Sequence, residues 1–279
     1  MTTSRSTAPH RRFHFISGLP RSGSTLLAAI LQQNPRFTAG MSGPVAGLVT
    51  SLLHEMSGKN EFSVFIDNNQ RTRMLRGLIE DFYADVKTPV VFDTNRAWCS
   101  KLPLLATLFP DSKVIACVRN LSWIIDSVER VVRQNALEPS IIFNHQSGGT
   151  VYSRTNGLAG PDGLVGFAYD ALKDAYYGDQ AEGRLILVSY ENLTAQPERT
   201  LSALYGFLGE TPYRHDLNHL TFDAQAYDRR ANTPGLHNIR PAVRPLERRT
   251  ILPPELFQRF SRDSFWTDPQ RMRAGVIVL

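Results

Sequence analysis

A chain of 279 residues, 42% hydrophobic and 20% charged, can bury a substantial core, and that balance excludes an intrinsically disordered or low-complexity protein. The net charge of +5, from 31 Lys and Arg against 26 Asp and Glu, gathers partly in the last fifth at Arg229, Arg230, Arg240, Arg244, Arg248 and Arg249. A small anionic ligand accounts for that excess better than nucleic acid, since no binding motif and no basic stripe interleaved with aromatics accompanies it.

Residues 1–12 contain Thr2, Thr3, Ser4, Ser6 and Thr7 but no apolar h-region, so they read as a solvated tail, with residues 13–279 as one domain. Phe13 to Ser17 is strand-like. It leads into Gly18-Leu19-Pro20-Arg21-Ser22-Gly23-Ser24-Thr25, a glycine-bounded loop followed by a hydroxyl-rich helix start. The spacing Gly18-x4-Gly23-x-Thr25 is that of a phosphate cradle, but Ser24 stands where a nucleotide kinase needs lysine, and the cation lies inside the loop as Arg21. Backbone N–H groups of the loop and first turn, reinforced by the helix dipole, hold an anion without that lysine.

The helix from Ser24 to about Gln33 stops at Asn34-Pro35. A second helix is expected between Ser42 and Met56. A third starts at Asp67, a good N-cap with Gln70 three residues on, and carries Met74, Leu75, Leu78, Ile79, Phe82 and Val86 at helical spacing. Val90 to Phe92 is a short buried strand ending on Asp93, followed by a helix marked by Leu102, Leu105, Leu108 and Phe109. Lys113 to Val118 is another strand, ending on Arg119 before a helix with Ile124, Ile125, Val128, Val131 and Val132. The Asn-, Ser-, Gly- and Pro-containing stretch from Glu138 to Gly163 reads as a long loop and substrate lid. Arg184 to Ser189 is a fourth strand, Gln196-Pro197 opens a helix to about Leu208, and the remainder is irregular until a short helix near Pro254. The alternation gives an α/β single domain with a central, mainly parallel sheet covered by helices on both faces, and ligands bind such sheets at the carboxyl ends of the strands. Cys99 and Cys117 adjoin apolar stretches and read as reduced core residues of a cytoplasmic protein. No run is long enough to span a membrane, and no cluster has metal-ligand spacing.

Asp93, Arg119 and Tyr190 each follow an apolar run directly, which would set all three on the rim of the crevice that holds the loop. Ser127 comes eight residues after Arg119, two helical turns in, so a guanidinium and a hydroxyl there can share a second anion. The plainer alternatives are a structural ion pair for Arg119, an ordinary helix hydroxyl for Ser127 and a solvated face for Arg248-Arg249.

GLPRSGSTLL (18–27), CVRNLSWIIDS (117–127) and LVSYENLTAQPERTLSALYGFLG (187–209) resemble, in the same order, the donor-binding segments of the PAPS-dependent sulfotransferases, which use 3′-phosphoadenosine 5′-phosphosulfate. The resemblance covers most of the chain from Phe13 to Gly209 and implies a P-loop nucleotide-transferase-like fold. It implies that Arg21, Ser22, Gly23, Ser24 and Thr25 hold the 5′-phosphosulfate, Arg119 and Ser127 the 3′-phosphate, and that Tyr190 lines the site. Arg229, Arg230 or Arg240 would close over the nucleotide. A sulfuryl group carries less charge than a terminal phosphoryl group, so arginine and backbone donors can stabilise its transfer without a metal ion.

In the tyrosylprotein branch of the family the base is a Glu shortly after the first helix, but Gly40-Met41-Ser42-Gly43 has no carboxylate. The aryl and steroid branch uses a His after the second strand. Here Asp93-Thr94-Asn95-Arg96-Ala97-Trp98 offers Asp93 as base and Arg96, with Arg21, as stabilising cations, or else an Asp93–Arg96 salt bridge. His237 and His54 are reserves. The acceptor, a hydroxyl or amine on a small molecule, glycan or peptide, would be read by residues 41–63 and 138–161, and a homodimer is open. The rival readings are a P-loop kinase of a small metabolite and a non-catalytic nucleotide-binding module.

Overall fold

A computed structural model describes residues 11–58, 61–134, 137, 149–233 and 235–279. Strand β1 (Arg12–Gly18) passes through the glycine loop into α1 (Ser24–Leu31), β2 (Phe37–Ala39) and α2 (Val45–Glu55). Helix α3 (Asn68–Phe82) follows. Its N-cap Asp67 accepts from the Gln70 backbone N–H at 2.7 Å, while the Gln70 side chain accepts from the Asp67 N–H at 2.8 Å. Next come β3 (Val90–Thr94), a 3-10 turn (Arg96–Lys101), α4 (Leu102–Leu108), β4 (Val114–Val118) and α5 (Leu121–Gln134). Helices α6 (Val151–Ala159) and α7 (Leu164–Tyr177) precede β5 (Leu185–Ser189), α8 (Tyr190–Ala195) and α9 (Pro197–Leu208). The chain ends with α10 (Gln225–Arg230), α11 (Pro254–Ser261) and β6 (Ile277–Val278).

All six strands pair in parallel, in the order β2-β3-β1-β4-β5-β6, with β1 at the centre. The alternating side chains of the strands split the core in two. Phe13, Phe15, Val91, Val114, Ala116 and Val118 pack with residues of α2 to α7 and α11; Ile16, Val90, Phe92, Ile115 and Cys117 pack with α1, Leu193 of α8 and α9. Both cysteines are free and buried, and burial pushes the Cys99 thiol up to about 11 and Cys117 to about 12.

The structure differs from the sequence reading in several elements. Residues 1–10 of the expected tail and 138–148 of the expected lid lie outside the described residues. Within the rest of the 138–163 stretch, residues 151–159 are helical. Arg154 of α6 grips Glu129 of α5 with two bonds, at 2.6 and 2.9 Å. Helix α7 was not anticipated, and the region after Leu208 contains α10 and β6. No helix among the described residues is long and apolar enough to cross a membrane.

Strand register sets the level of every residue leaving the sheet. Gly18 pairs with Cys117 and Val118 with Ser189, so Arg119 and Tyr190 emerge level with the start of the loop. Asp93 pairs with Phe15, three residues below Gly18, which places it about 10 Å deeper in the sheet.

Candidate functional site

The loop depends on two glycines. Gly18 has φ +96°, and a Cβ there would stand 2.2 Å from the Cys117 carbonyl oxygen. Gly23, the N-cap of α1, has φ +97°, and a Cβ there would meet the Tyr190 ring at 2.9 Å. Only glycine combines that backbone with that proximity. Arg21, between them, also has positive φ, at +58°.

Above the carboxyl ends of β1, β4 and β5 opens a cleft of about 270 Å³. Arg21, Gly23, Ser24 and Thr25 of the loop line it with Arg96, Arg119, Ser127 and Tyr190. The C-terminal segment contributes His237, Arg240, Arg244 and Arg248. Arg21 donates from Nε to Ser127 Oγ at 3.0 Å and from Nη1 to the Leu236 carbonyl. Burial, with Arg119 and Arg248 close by, pulls the Arg21 pKa down to about 10. Arg119 lies over the Tyr190 ring, 4.1 Å from its centroid, and donates from Nη1 to the Arg21 carbonyl at 3.4 Å. Burial also lowers the pKa values of Arg119 and Arg96.

The cleft thus brings together Arg21, Gly23, Ser24, Thr25, Arg96, Arg119, Ser127 and Tyr190. Ser22 contributes less than the sequence implied. Its hydroxyl turns inward, against the carbonyls of Leu19 and Cys117 at 2.5 and 2.8 Å, which leaves only its backbone N–H for a ligand. Asp93 does not line the cleft, and the expectation that it rims the crevice is corrected by its register and its partners. It is wholly buried and accepts from Tyr83 Oη at 2.5 Å and Trp98 Nε1 at 2.6 Å. Burial raises its pKa, and it forms no ion pair with Arg96. His54 sits exposed near the end of α2, away from the cleft, and Arg229 and Arg230 are exposed on α10.

Arg248, read from sequence as part of a solvated face, is instead a lining residue. It bonds Asp126 Oδ2 at 3.0 Å and the Trp123 carbonyl at 3.3 Å, with its guanidinium 5.2 Å from the Trp123 ring centroid. Nothing around Arg248 in the sequence distinguishes it from exposed Arg249; its partners lie on α5, far away in the chain. The Nε atoms of both Arg119 and Arg248 are buried without a hydrogen-bond partner among the described residues. Two such cations beside a loop of backbone amides form a site suited to a polyanion. Among the described residues, no group of three or more His, Cys, Asp and Glu is placed to hold a metal ion.

The sulfotransferase family model matches residues 14–214, which span the loop, Arg119, Ser127 and Tyr190. The chain belongs to the sulfotransferase family. A Caenorhabditis briggsae protein named "Putative protein-tyrosine sulfotransferase" is 24% identical over 205 residues, covering 70% of this chain and 64% of that relative. The match therefore spans slightly less than two thirds of the relative's length. Among solved structures, the sulfotransferase domain from the curacin biosynthetic pathway superposes with a TM-score of 0.47 at 19% identity, covering 73% of this chain and 75% of its own. A sulfotransferase from Alicyclobacillus acidocaldarius superposes with a TM-score of 0.46 at 14% identity, covering 74% and 84%.

Proposed function

We propose that this sulfotransferase moves the sulfuryl group of 3′-phosphoadenosine 5′-phosphosulfate to a hydroxyl or amine acceptor by in-line displacement without a metal ion. The observation that carries this reading is the pair of buried, unpartnered guanidinium nitrogens of Arg119 and Arg248 near a phosphate loop that lacks the kinase lysine. The donor presents two anionic ends. Arg21 and the amides of residues 22–25 would hold the 5′-phosphosulfate, and Arg119, Ser127 and Arg248 the 3′-phosphate. Tyr190, already against Arg119, would line the nucleoside. Arg96, at the acceptor end, and Arg21 would stabilise charge developing on the transferred group and the bridging oxygen.

The acceptor belongs to the small-molecule, glycan or peptide class. Cytoplasmic placement draws its support from the two reduced, buried cysteines. Calorimetry with adenosine 3′,5′-bisphosphate, AMP and ATP tests the donor assignment. The bisphosphate should bind at least about tenfold more tightly than AMP, because it alone engages Arg119 and Arg248. ATP binding more tightly in the presence of Mg²⁺ would replace this reading with phosphoryl transfer. Bisphosphate binding with no transfer to any acceptor or to water would leave a nucleotide-binding module.

A further inference from the structure

With Asp93 sealed beneath the sheet end, the acceptor's proton needs another destination. The cleft lining contains an imidazole whose surroundings differ from those of a core histidine. His237 donates from Nδ1 to Asp228 Oδ1 at 2.6 Å, and its backbone N–H reaches Asp228 Oδ2 at 3.0 Å. Asp228 is itself 2% exposed, so both carboxylate oxygens are committed to one residue in a buried setting. A carboxylate accepting at Nδ1 fixes the neutral tautomer whose lone pair is on Nε2. That nitrogen has no hydrogen-bond partner among the described residues, and His237 lines the cleft. His14 and His215 also leave one ring nitrogen unpartnered among the described residues, but neither lines the cleft, so it is the opening of His237 onto the loop arginines that sets it apart.

The position of the ring is fixed from two further sides. The preceding residue, Leu236, is buried, and its carbonyl accepts from Nη1 of Arg21, the cation of the phosphate loop. The ring of Tyr227, which also lines the cleft, packs edge-on against His237, 5.4 Å between centroids. His237 therefore lines the same cleft as Arg21 and Arg96, the two arginines assigned to the transferred group.

We propose that His237 is the catalytic base and Asp228 its positioning residue. As the acceptor oxygen or nitrogen bonds to sulfur, its proton passes to His237 Nε2, and the bond from sulfur to the bridging oxygen breaks. That oxygen keeps the electron pair and leaves on adenosine 3′,5′-bisphosphate; the proton on His237 then returns to solvent. The assignment rests on the donor reading above.

Two measurements test it. Diethyl pyrocarbonate followed by peptide mass spectrometry should modify His237 in the free protein. Saturating 3′-phosphoadenosine 5′-phosphosulfate should slow that modification by about tenfold or more, and the bisphosphate, which lacks the sulfuryl group, by less than about threefold. No modification of the free protein, or equal protection by both nucleotides, would overturn the assignment. In the second, release of sulfate from the donor to water should fall about a hundredfold or more in His237→Ala and recover in part with added imidazole, while bisphosphate affinity stays within about threefold. Asp228→Asn should lower the same rate without changing that affinity. A His237→Ala protein retaining more than about a tenth of the rate would also reject it. Where release to water is too slow to read, the protection result decides. Failure of wild-type protein to bind the bisphosphate would reject the donor reading itself; binding with failed protection would reject only the base.

Discussion

Arg119 and Arg248 are half-buried cations held over aromatic rings, and the Nε atom of each is buried without a partner among the described residues. Removing either should leave a desolvated 3′-phosphate short of a charged partner. Arg119→Ala is expected to cost about 2–4 kcal/mol of affinity for adenosine 3′,5′-bisphosphate and much less for AMP. Calorimetry on both nucleotides reads this directly, and equal losses would mark Arg119 as structural. Asp93 makes a contrasting prediction. Asn in its place can accept from Trp98 but sets its amide nitrogen against the Tyr83 hydroxyl, whose O–H must then turn elsewhere, so Asp93→Asn should lose about 1–3 kcal/mol of stability at pH 7. Burial raises the folded-state pKa of Asp93 above its unfolded value near 3.8, so folding favours its protonated form. The associated stability is fully present below 3.8 and is lost as pH rises through the folded pKa. The wild-type advantage over Asp93→Asn should therefore shrink from acid towards neutral pH. Denaturant titrations at several pH values test it, and an advantage growing with pH would show that the ionised form is the favoured one.

The strand-loop-helix from β1 to α1 is the element on which the proposed donor binding turns. Gly18→Ala would press a Cβ into the Cys117 backbone at a φ that L-residues avoid, and about 3 kcal/mol or more of destabilisation is expected. Thermal or denaturant melts read that loss, and a near-wild-type melt would show that the β1–β4 contact yields easily. Much of this element is legible in the sequence, because glycine spacing, hydroxyls and apolar runs are local signals. The Asp67–Gln70 capping box is legible for the same reason. Other features are not local. Strand β2 has three residues and β6 two, too short for any alternation to register. Helix α7 is apolar around much of its circumference and carries Gly166 in its first turn, which masks its amphipathic period. The sequence also places Asp93 at a strand end without revealing its depth: that follows from pairing with Phe15, and its partners from the face shared with Val91. Likewise Asp228 and His237 read as isolated polar residues until the turn between them closes.

Across the whole molecule the parallel sheet aims its strand ends at one cleft, and the charged side chains lining that cleft are all arginines. Kinases with P-loops use Mg²⁺ to bridge and neutralise the β- and γ-phosphate oxygens, with the loop lysine sharing that role. Here Ser24 takes the lysine position, and Arg21, Arg96, Arg119 and Arg248 supply a positive field that is part of the fold. The sulfuryl oxygens carry less charge than phosphoryl oxygens, and on the proposed reading this field serves the transition state without a bridging ion. Excess EDTA should accordingly leave bisphosphate binding and sulfate release unchanged within about twofold, whereas Arg21→Ala should reduce release by about tenfold or more. Arg21 is the sharper arm of that comparison because it belongs to the loop and also holds the segment bearing His237 through the Leu236 carbonyl. Its removal should disturb both the positive field and the position of the proposed base, while EDTA touches neither. Loss of activity with EDTA and recovery with Mg²⁺ would mean that the arginines need a bridging ion, and phosphoryl transfer would become the better account of the cleft.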